Sequence, residues 1–267
     1  MKKTIIILSV IIILFAAFYN GLTVKRYVIR SEKITESVRL ALLTDLHSCF
    51  YGKEQKKLLE KIHAQSPDIV LLSGDIADDK MPHAGTIALL EGIAGKYPCY
   101  YVTGNHEFWS NEVDRIKDMF KKYNVKVLEG NNDTITIRNQ KINICGVDDP
   151  DVGMDIFEVQ LKTAFASTDD EAYTVFMSHR PELVNLYKSL NCDLIVSGHA
   201  HGGQWRIPFI LKGFFSPNQG FFPKYTSGIY DIGEIKMLVS RGMSRESSRI
   251  PRIFNPPELV IIDIMPF

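Results

Sequence analysis

Asp45, His47, Asp75, Asn105, His106, His179, His199 and His201 are side-chain types that hold and use metal ions, and they fall in five short motifs. The motifs read Asp45-Leu46-His47, Gly74-Asp75, Gly104-Asn105-His106-Glu107, Ser178-His179 and Gly198-His199-Ala200-His201. They contain five of the seven histidines; His63 and His83 lie outside and read as ordinary surface residues. Carboxylates, imidazoles and one amide oxygen, without a thiolate, suit ions such as Mn, Fe or Zn. The set is too large for one tetrahedral zinc. Two divalent or trivalent ions sharing a carboxylate fit the count better. Metals about 3.5–4 Å apart can hold a bridging hydroxide and clamp a phosphoryl group for in-line displacement. Asp45 and His47 are two apart, as are His199 and His201. In extended backbone such residues point to one side, so each pair is expected to aim at one centre. Gly74 lets the chain turn sharply before Asp75.

The elements that must position these groups are visible upstream of each. Apolar runs of strand character at 38–43, 69–72, 99–102, 173–177 and 194–196 each lead into a motif. Buried strands that end in ligand types predict one rim of a sheet, where α/β proteins gather their sites. Apolar periodicity predicts helices over 55–64, 84–94 and 111–123. A hairpin is expected over 134–147 with Asn139 and Gln140 at its turn, and further strands over 228–232, 235–240 and 259–264. Strands outnumber crossover helices. The expected class is therefore α/β, a two-sheet β-sandwich flanked by helices, preceded by one N-terminal transmembrane helix.

That last element is read from a charge-free run, 4–24, bracketed by Lys2 and Lys3 before and Lys25 and Arg26 after. Its length lies between the about 20 residues of a bilayer span and the 10–14 of a signal-peptide core. No Ala-x-Ala cleavage site follows, which favours an uncleaved anchor over a cleaved signal. The expected organisation is an anchor at 1–24, a polar linker at 25–37 and one catalytic domain at 38–267. The expected location is the cell membrane, with the side of the catalytic domain left open. Net charge is zero, so there is no electrostatic case for nucleic acid. Four scattered cysteines without a Cys-x-x-Cys pair argue against a zinc ribbon or redox motif.

The order of motifs over 38–201 resembles the calcineurin-like metallophosphoesterases. Gly198 to Gln204, then Arg206-Ile207-Pro208, Ser240-Arg241-Gly242 and Asn255-Pro256-Pro257-Glu258-Leu259, resemble the membrane-associated or exported bacterial branch of the YkuE and YaeI phosphodiesterase type. The resemblance implies one metal on Asp45, His47, Asp75 and His201. It implies a second on Asp75, Asn105, His179 and His199, with Asp75 bridging. It gives His106 the role of assisting the leaving oxygen. The chain departs from protein serine/threonine phosphatases, which have Asp-Arg-Gly soon after Gly-Asp; here Ile76-Ala77-Asp78-Asp79-Lys80 follows. It also has His106 where soluble enzymes that split UDP-diacylglucosamine carry arginine.

The expected activity is hydrolysis of a phosphodiester or pyrophosphate by attack of a metal-bridging hydroxide, with a lipid-linked substrate as one option. The alternatives are a phosphomonoesterase or nucleotidase on the same fold, and a non-catalytic metal-dependent binding protein. Arg180, Arg206 and Arg241 stand beside motifs and are candidates for phosphate contacts. An aromatic stretch at 209–225, with Phe221 and Phe222, could meet an apolar part of the substrate. Asp148, Asp149 and Asp151 read as a solvated acidic turn.

Overall fold

The computed structural model describes residues 2–245 and 251–267. In chain order, α1 (Lys2–Ala17) is followed by β1 (Thr23–Arg30), β2 (Val38–Leu43), α2 (Lys56–Gln65), β3 (Ile69–Ser73), α3 (Ala84–Ile93) and β4 (Cys99–Val102). Next come α4 (Asn105–Trp109), α5 (Val113–Lys122), β5 (Lys126–Val127), β6 (Asn131–Ile137), β7 (Gln140–Gly146) and α6 (Met154–Thr163). The rest comprises β8 (Tyr173–Met177), α7 (Val184–Tyr187), β9 (Leu194–Ser197), β10 (Phe215–Ser216), β11 (Gly220–Phe221), β12 (Gly228–Ile232), β13 (Ile235–Val239) and β14 (Glu258–Met265).

Two six-stranded mixed sheets form, ordered β1-β14-β2-β3-β4-β5 and β12-β13-β9-β8-β7-β6. Strand alternation explains how they pack. In β2, Leu40 and Leu42 join the core between the sheets, with Leu71, Val102, Val175, Met177 and Val196. Ala41 and Leu43 face the other way, against Leu58, Ile62, Leu89, Ile116 and Phe120 of helices α2, α3 and α5. In β8, Phe176 turns out onto Phe157 of α6 and Tyr187 of α7. The strands carrying the motifs are parallel within each sheet, β2-β3-β4 in one and β8-β9 in the other. Their C-terminal ends therefore open onto a common rim.

The N-terminus corrects two expectations. The charge-free run is not one helix. α1 ends at Ala17, and after Tyr19-Asn20-Gly21 the chain enters β1 at Thr23. At about 1.5 Å per residue, its 16 residues reach about 24 Å, short of the about 30 Å hydrocarbon core. Among the described residues no helix is long and apolar enough to cross a membrane, so neither the transmembrane helix nor the single-pass membrane location that rested on it is supported. The helix end is tied to the body, since the Phe254 N–H donates to the Ala17 carbonyl at 2.8 Å. β1 pairs in parallel with β14 along its whole length, so the stretch expected as a linker supplies an edge strand of the sheet.

The hairpin turn also differs. Gln140 pairs with Ile137, and Arg138 and Asn139 form the turn at φ 48° and 63°. Positive φ at both central positions matches the right-handed twist of the flanking strands.

Candidate metal centre

The strand ends do not run on in extended form. Asp45, His47, Asp75, His199 and His201 all adopt left-handed φ, between 45° and 64°. The i, i+2 convergence expected for extended backbone is thus reached by kinks instead. Left-handed non-glycine residues cost energy and cluster at functional sites. The kinked loops hold one another: the Asp45 N–H donates to the Gly74 carbonyl at 3.0 Å and the His47 N–H to the Asp75 carbonyl at 2.9 Å. Two glycines are needed for close approach. A Cβ at Gly104 would stand 2.3 Å from Asp75 Oδ1, and one at Gly198 would stand 2.5 Å from Asp45 Oδ2.

Each aspartate spends one oxygen on the backbone. Asp45 Oδ1 accepts the His199 N–H at 3.0 Å, and Asp75 Oδ1 accepts the His106 N–H at 2.9 Å. The other oxygens, Asp45 Oδ2 and Asp75 Oδ2, are buried without a hydrogen-bond partner. His47 Nε2, His179 Nε2 and Asn105 Oδ1 are orphaned in the same way. Burying so many unmet polar atoms is costly unless something else satisfies them. Ligand atoms of Asp45, His47, Asp75 and His201 lie within 4.8 Å of one another, and so do those of Asp75, His179 and His199. Asp75 Oδ2 stands between the groups, 3.6 Å from His47 Nε2 and 3.1 Å from His179 Nε2. The donor set and its orphaned atoms fit a dinuclear divalent metal site.

The opposite ring nitrogens are fixed by the protein, as metal-ligating imidazoles require. His47 Nδ1 meets Asp78 Oδ2 at 3.0 Å, and His179 Nδ1 donates to the Ser73 carbonyl at 2.9 Å. His199 Nε2 donates to Asn218 Oδ1 at 2.9 Å, leaving Nδ1 as its free nitrogen. A third group, His47, Asp78 and His106, is also compact. Within it Asp78 Oδ2 is paired with His47 Nδ1 at 3.0 Å and stands 3.7 Å from His106 Nδ1. His106 Nδ1 pairs instead with Asp79 Oδ1, at 2.7 Å.

The titration behaviour follows from burial and charge. Burial raises the Asp75 carboxyl, but the opposing charges of His179, His47 and His106 hold it well below the usual range. Burial disfavours the His179 cation, yet Asp75 and Asp45 overcome this and push it up to about 10. Burial, reinforced by the charges of His179 and Arg180, keeps His199 well below its ordinary value.

His106 lies at the rim. Its Nδ1 is 2.7 Å from Asp79 Oδ1, and its ring packs edge-on to His47 and against Trp109. Glu107, silent in the sequence reading, is the fastener of the site. Its buried carboxylate accepts N–H bonds from Gly104, Asp75, Ile76 and Ala77 at 2.7–3.0 Å. Burial, then the charge of Asp75, pushes this carboxyl up to about 7. Asp78 and Asp79 were also missed as partners. The acidic pair three residues after Gly74-Asp75 was their only sequence signal. Asn218 gave none, being brought in by the β10–β11 turn.

The expected phosphate-binding arginines are engaged elsewhere. Arg180 gives a two-pronged contact to Asp149, Nε–Oδ2 at 2.7 Å and Nη2–Oδ1 at 2.8 Å. Asp149 and Asp148 are buried, the latter bonded to Lys117 at 2.9 Å, so of the acidic turn only Asp151 is exposed to solvent. Arg241 is held by Glu258 through Nε and Nη2, both at 2.6 Å. Arg206 donates to Ser227 Oγ at 2.6 Å and to the Gly202 carbonyl at 3.3 Å. His63 pairs with the Tyr97 hydroxyl at 2.8 Å, and His83 donates to the Asp78 carbonyl at 3.1 Å, bracing the loop behind His47. In the aromatic stretch Tyr225 is buried, whereas Phe221 and Phe222 are 66% and 68% exposed. Trp205, Phe214, Phe215 and Phe221, with Gln204, line an apolar pocket of about 260 Å³.

Comparison with known proteins agrees with this geometry. A metallophosphoesterase of Campylobacter jejuni is 29% identical over 98% of this chain and 69% of its own length. YkuE of Bacillus subtilis, also named a metallophosphoesterase, is 24% identical over 86% of this chain and 79% of its own. Among solved structures, the Mycobacterium tuberculosis phosphopantetheinyl hydrolase PptH matches with TM-score 0.52 and 14% identity, over 82% of this chain and 96% of that one. The Haemophilus influenzae NAD nucleotidase NadN matches with TM-score 0.52 and 14% identity, over 78% of this chain. This chain spans about half of the nucleotidase, 46% of its length, and at such identity both structures speak to fold alone. The calcineurin-like phosphoesterase family model matches residues 38–203, which include every ligand-type residue described above, and the chain belongs to that family of hydrolases.

Proposed function

We propose that this phosphoesterase cleaves a phosphodiester, or the pyrophosphate bond of a substituted pyrophosphate, at a site where Asp75 serves two ions. The orphaned oxygen Asp75 Oδ2, standing between His47 Nε2 and His179 Nε2, carries the reading. One ion would be held by Asp45, His47, Asp75 and His201, the other by Asp75, Asn105, His179 and His199. A bound pair of Mn, Fe or Zn ions supplies Lewis acidity toward phosphoryl oxygens and an acidified water near neutral pH.

The chain's own residues do the remaining work. Glu107 locks the Asp75 loop to the Asn105 turn, so both ligands keep one geometry. Asp79 accepts from His106 Nδ1, fixing the ring and leaving Nε2 to face the substrate. From Nε2 a proton can pass to the departing oxygen, while Asp79 stabilises the imidazolium beforehand. Three of the arginines near the motifs are spent on Asp149, Glu258 and Ser227. That economy of positive charge suits a substrate with one charge per phosphorus better than a doubly charged monoester. An apolar substituent, such as the tail of a lipid-linked diester, would be met by the pocket of Trp205, Phe214 and Phe215.

The test is the full chain with added Mn on three aryl substrates: a phosphodiester, a phosphomonoester and a substituted pyrophosphate. The expected result is a higher kcat/KM for the diester or pyrophosphate, improved by a longer alkyl substituent. A ten-fold preference for the monoester would replace this reading with the phosphomonoesterase one.

A further inference from the structure

Arg252, near the site, has a fork that is not filled. Its Nη1 donates to the Arg241 carbonyl at 2.9 Å. Its Nη2 is shielded from solvent and has no hydrogen-bond acceptor. Among the described residues no carboxylate lies within ion-pair distance of it, in contrast to Arg180 and Arg241. A guanidinium offers five donors, and leaving a buried charged donor unmet is costly.

Its position is set by three local ties. Arg241, whose carbonyl anchors Nη1, precedes Gly242, and a Cβ on Gly242 would stand 2.7 Å from Asp45 Oδ2. The next residue, Ile253, bridges Trp205, with the Arg206 N–H donating to the Ile253 carbonyl at 2.9 Å. Asn255 Nδ2 then donates to the His201 carbonyl at 2.7 Å. The segment is thus stitched onto the turn that carries His201.

We propose that Arg252 is a substrate-binding residue that donates from Nη2 to a non-bridging phosphoryl oxygen on the Asp45 and His201 side of the site. This rests on the phosphoesterase reading given above. The acceptor chemistry is that of an ionised phosphate oxygen, which matches a planar guanidinium better than an ammonium. Among the described residues no carboxylate needs to be displaced for the contact to form.

The test compares Arg252→Lys and Arg252→Gln with the parent, as full chains loaded with Mn. Three quantities are read: metal content, the inhibition constant of inorganic phosphate, and KM and kcat for an aryl phosphodiester. Both variants are expected to hold the parent's metal content and to bind inorganic phosphate roughly ten- to a hundred-fold more weakly, Gln more so than Lys. Millimolar guanidinium should restore part of the loss in Arg252→Gln. Unchanged phosphate inhibition with full metal content overturns the proposal. So does loss of metal or of folding in both variants, which would make Arg252 a structural residue. If the parent itself neither binds phosphate nor turns over the diester, the functional reading fails first; if the parent does both and the variants match it, only the role of Arg252 fails.

Discussion

Replacing Glu107 by glutamine isolates the fastener of the site, because it keeps the size of the side chain and changes only what it can accept. Glu107 Oε2 takes the Gly104 and Asp75 N–H groups, and Oε1 takes those of Ile76 and Ala77. A glutamine can offer its oxygen to one of these pairs. Its NH2 must then face the other two donors. Two hydrogen bonds to a charged group are lost, at about 1.5–3 kcal/mol each, so Glu107→Gln should cost about 3–6 kcal/mol. That is a large share of a typical domain stability of about 5–15 kcal/mol. Urea unfolding at pH 8 reads the loss, and elemental analysis should show reduced metal, since Asp75 and Asn105 hang on this contact. The pH dependence has a definite sign. In the metal-free protein the Glu107 carboxyl lies at about 7, above its ordinary 4.5. A raised carboxyl binds protons on folding, so its contribution to stability is fully present below 4.5 and is lost as pH rises toward about 7. Glu107→Gln should flatten the fall in stability over that window. A variant within about 1 kcal/mol of the parent, with metal content and pH slope unchanged, would refute the reasoning.

Asp75→Asn should lower metal content and abolish turnover, measured by elemental analysis and diester hydrolysis; near-normal activity with full metal content contradicts a shared role. His106→Asn should keep the metal while kcat falls about 10²–10⁴-fold, the usual size of acid–base assistance; loss of both ions would make His106 a ligand. Asn218→Ala removes the acceptor that fixes His199 and should weaken metal affinity about 10–100-fold in a chelator competition. Unchanged affinity there would mean that His199 holds its orientation without help.

The strand ends were readable because each carries a run of buried aliphatic residues and then a polar ligand type. Ile69 to Ser73, followed by Gly74 and Asp75, is the simplest case. Which atoms would be left for a metal was not readable. It depends on backbone bonds such as His199 N–H to Asp45 Oδ1, made across the fold between residues 154 apart. The N-terminal run misled because counting charges cannot see a helix stop. The apolar helix ends at Ala17, and Thr23 and Val24 belong to a strand. The partners of the arginines were hidden for a related reason. Arg180 has the right neighbours in sequence, but Asp149 fills its fork in space. In the acidic turn that read as solvated, Asp148 and Asp149 are buried, because Lys117 on the inner face of α5 reaches Asp148 and Arg180 reaches Asp149.

Anomalous scattering from crystals of the full chain soaked in Mn tests the central claim most directly. Two peaks about 3.5–4 Å apart are expected. One should lie in ligand contact with Asp45, His47, Asp75 and His201, the other with Asp75, Asn105, His179 and His199, and both should touch Asp75 Oδ2. A single peak, or two peaks of which one does not touch Asp75, would contradict a shared carboxylate at the heart of this site.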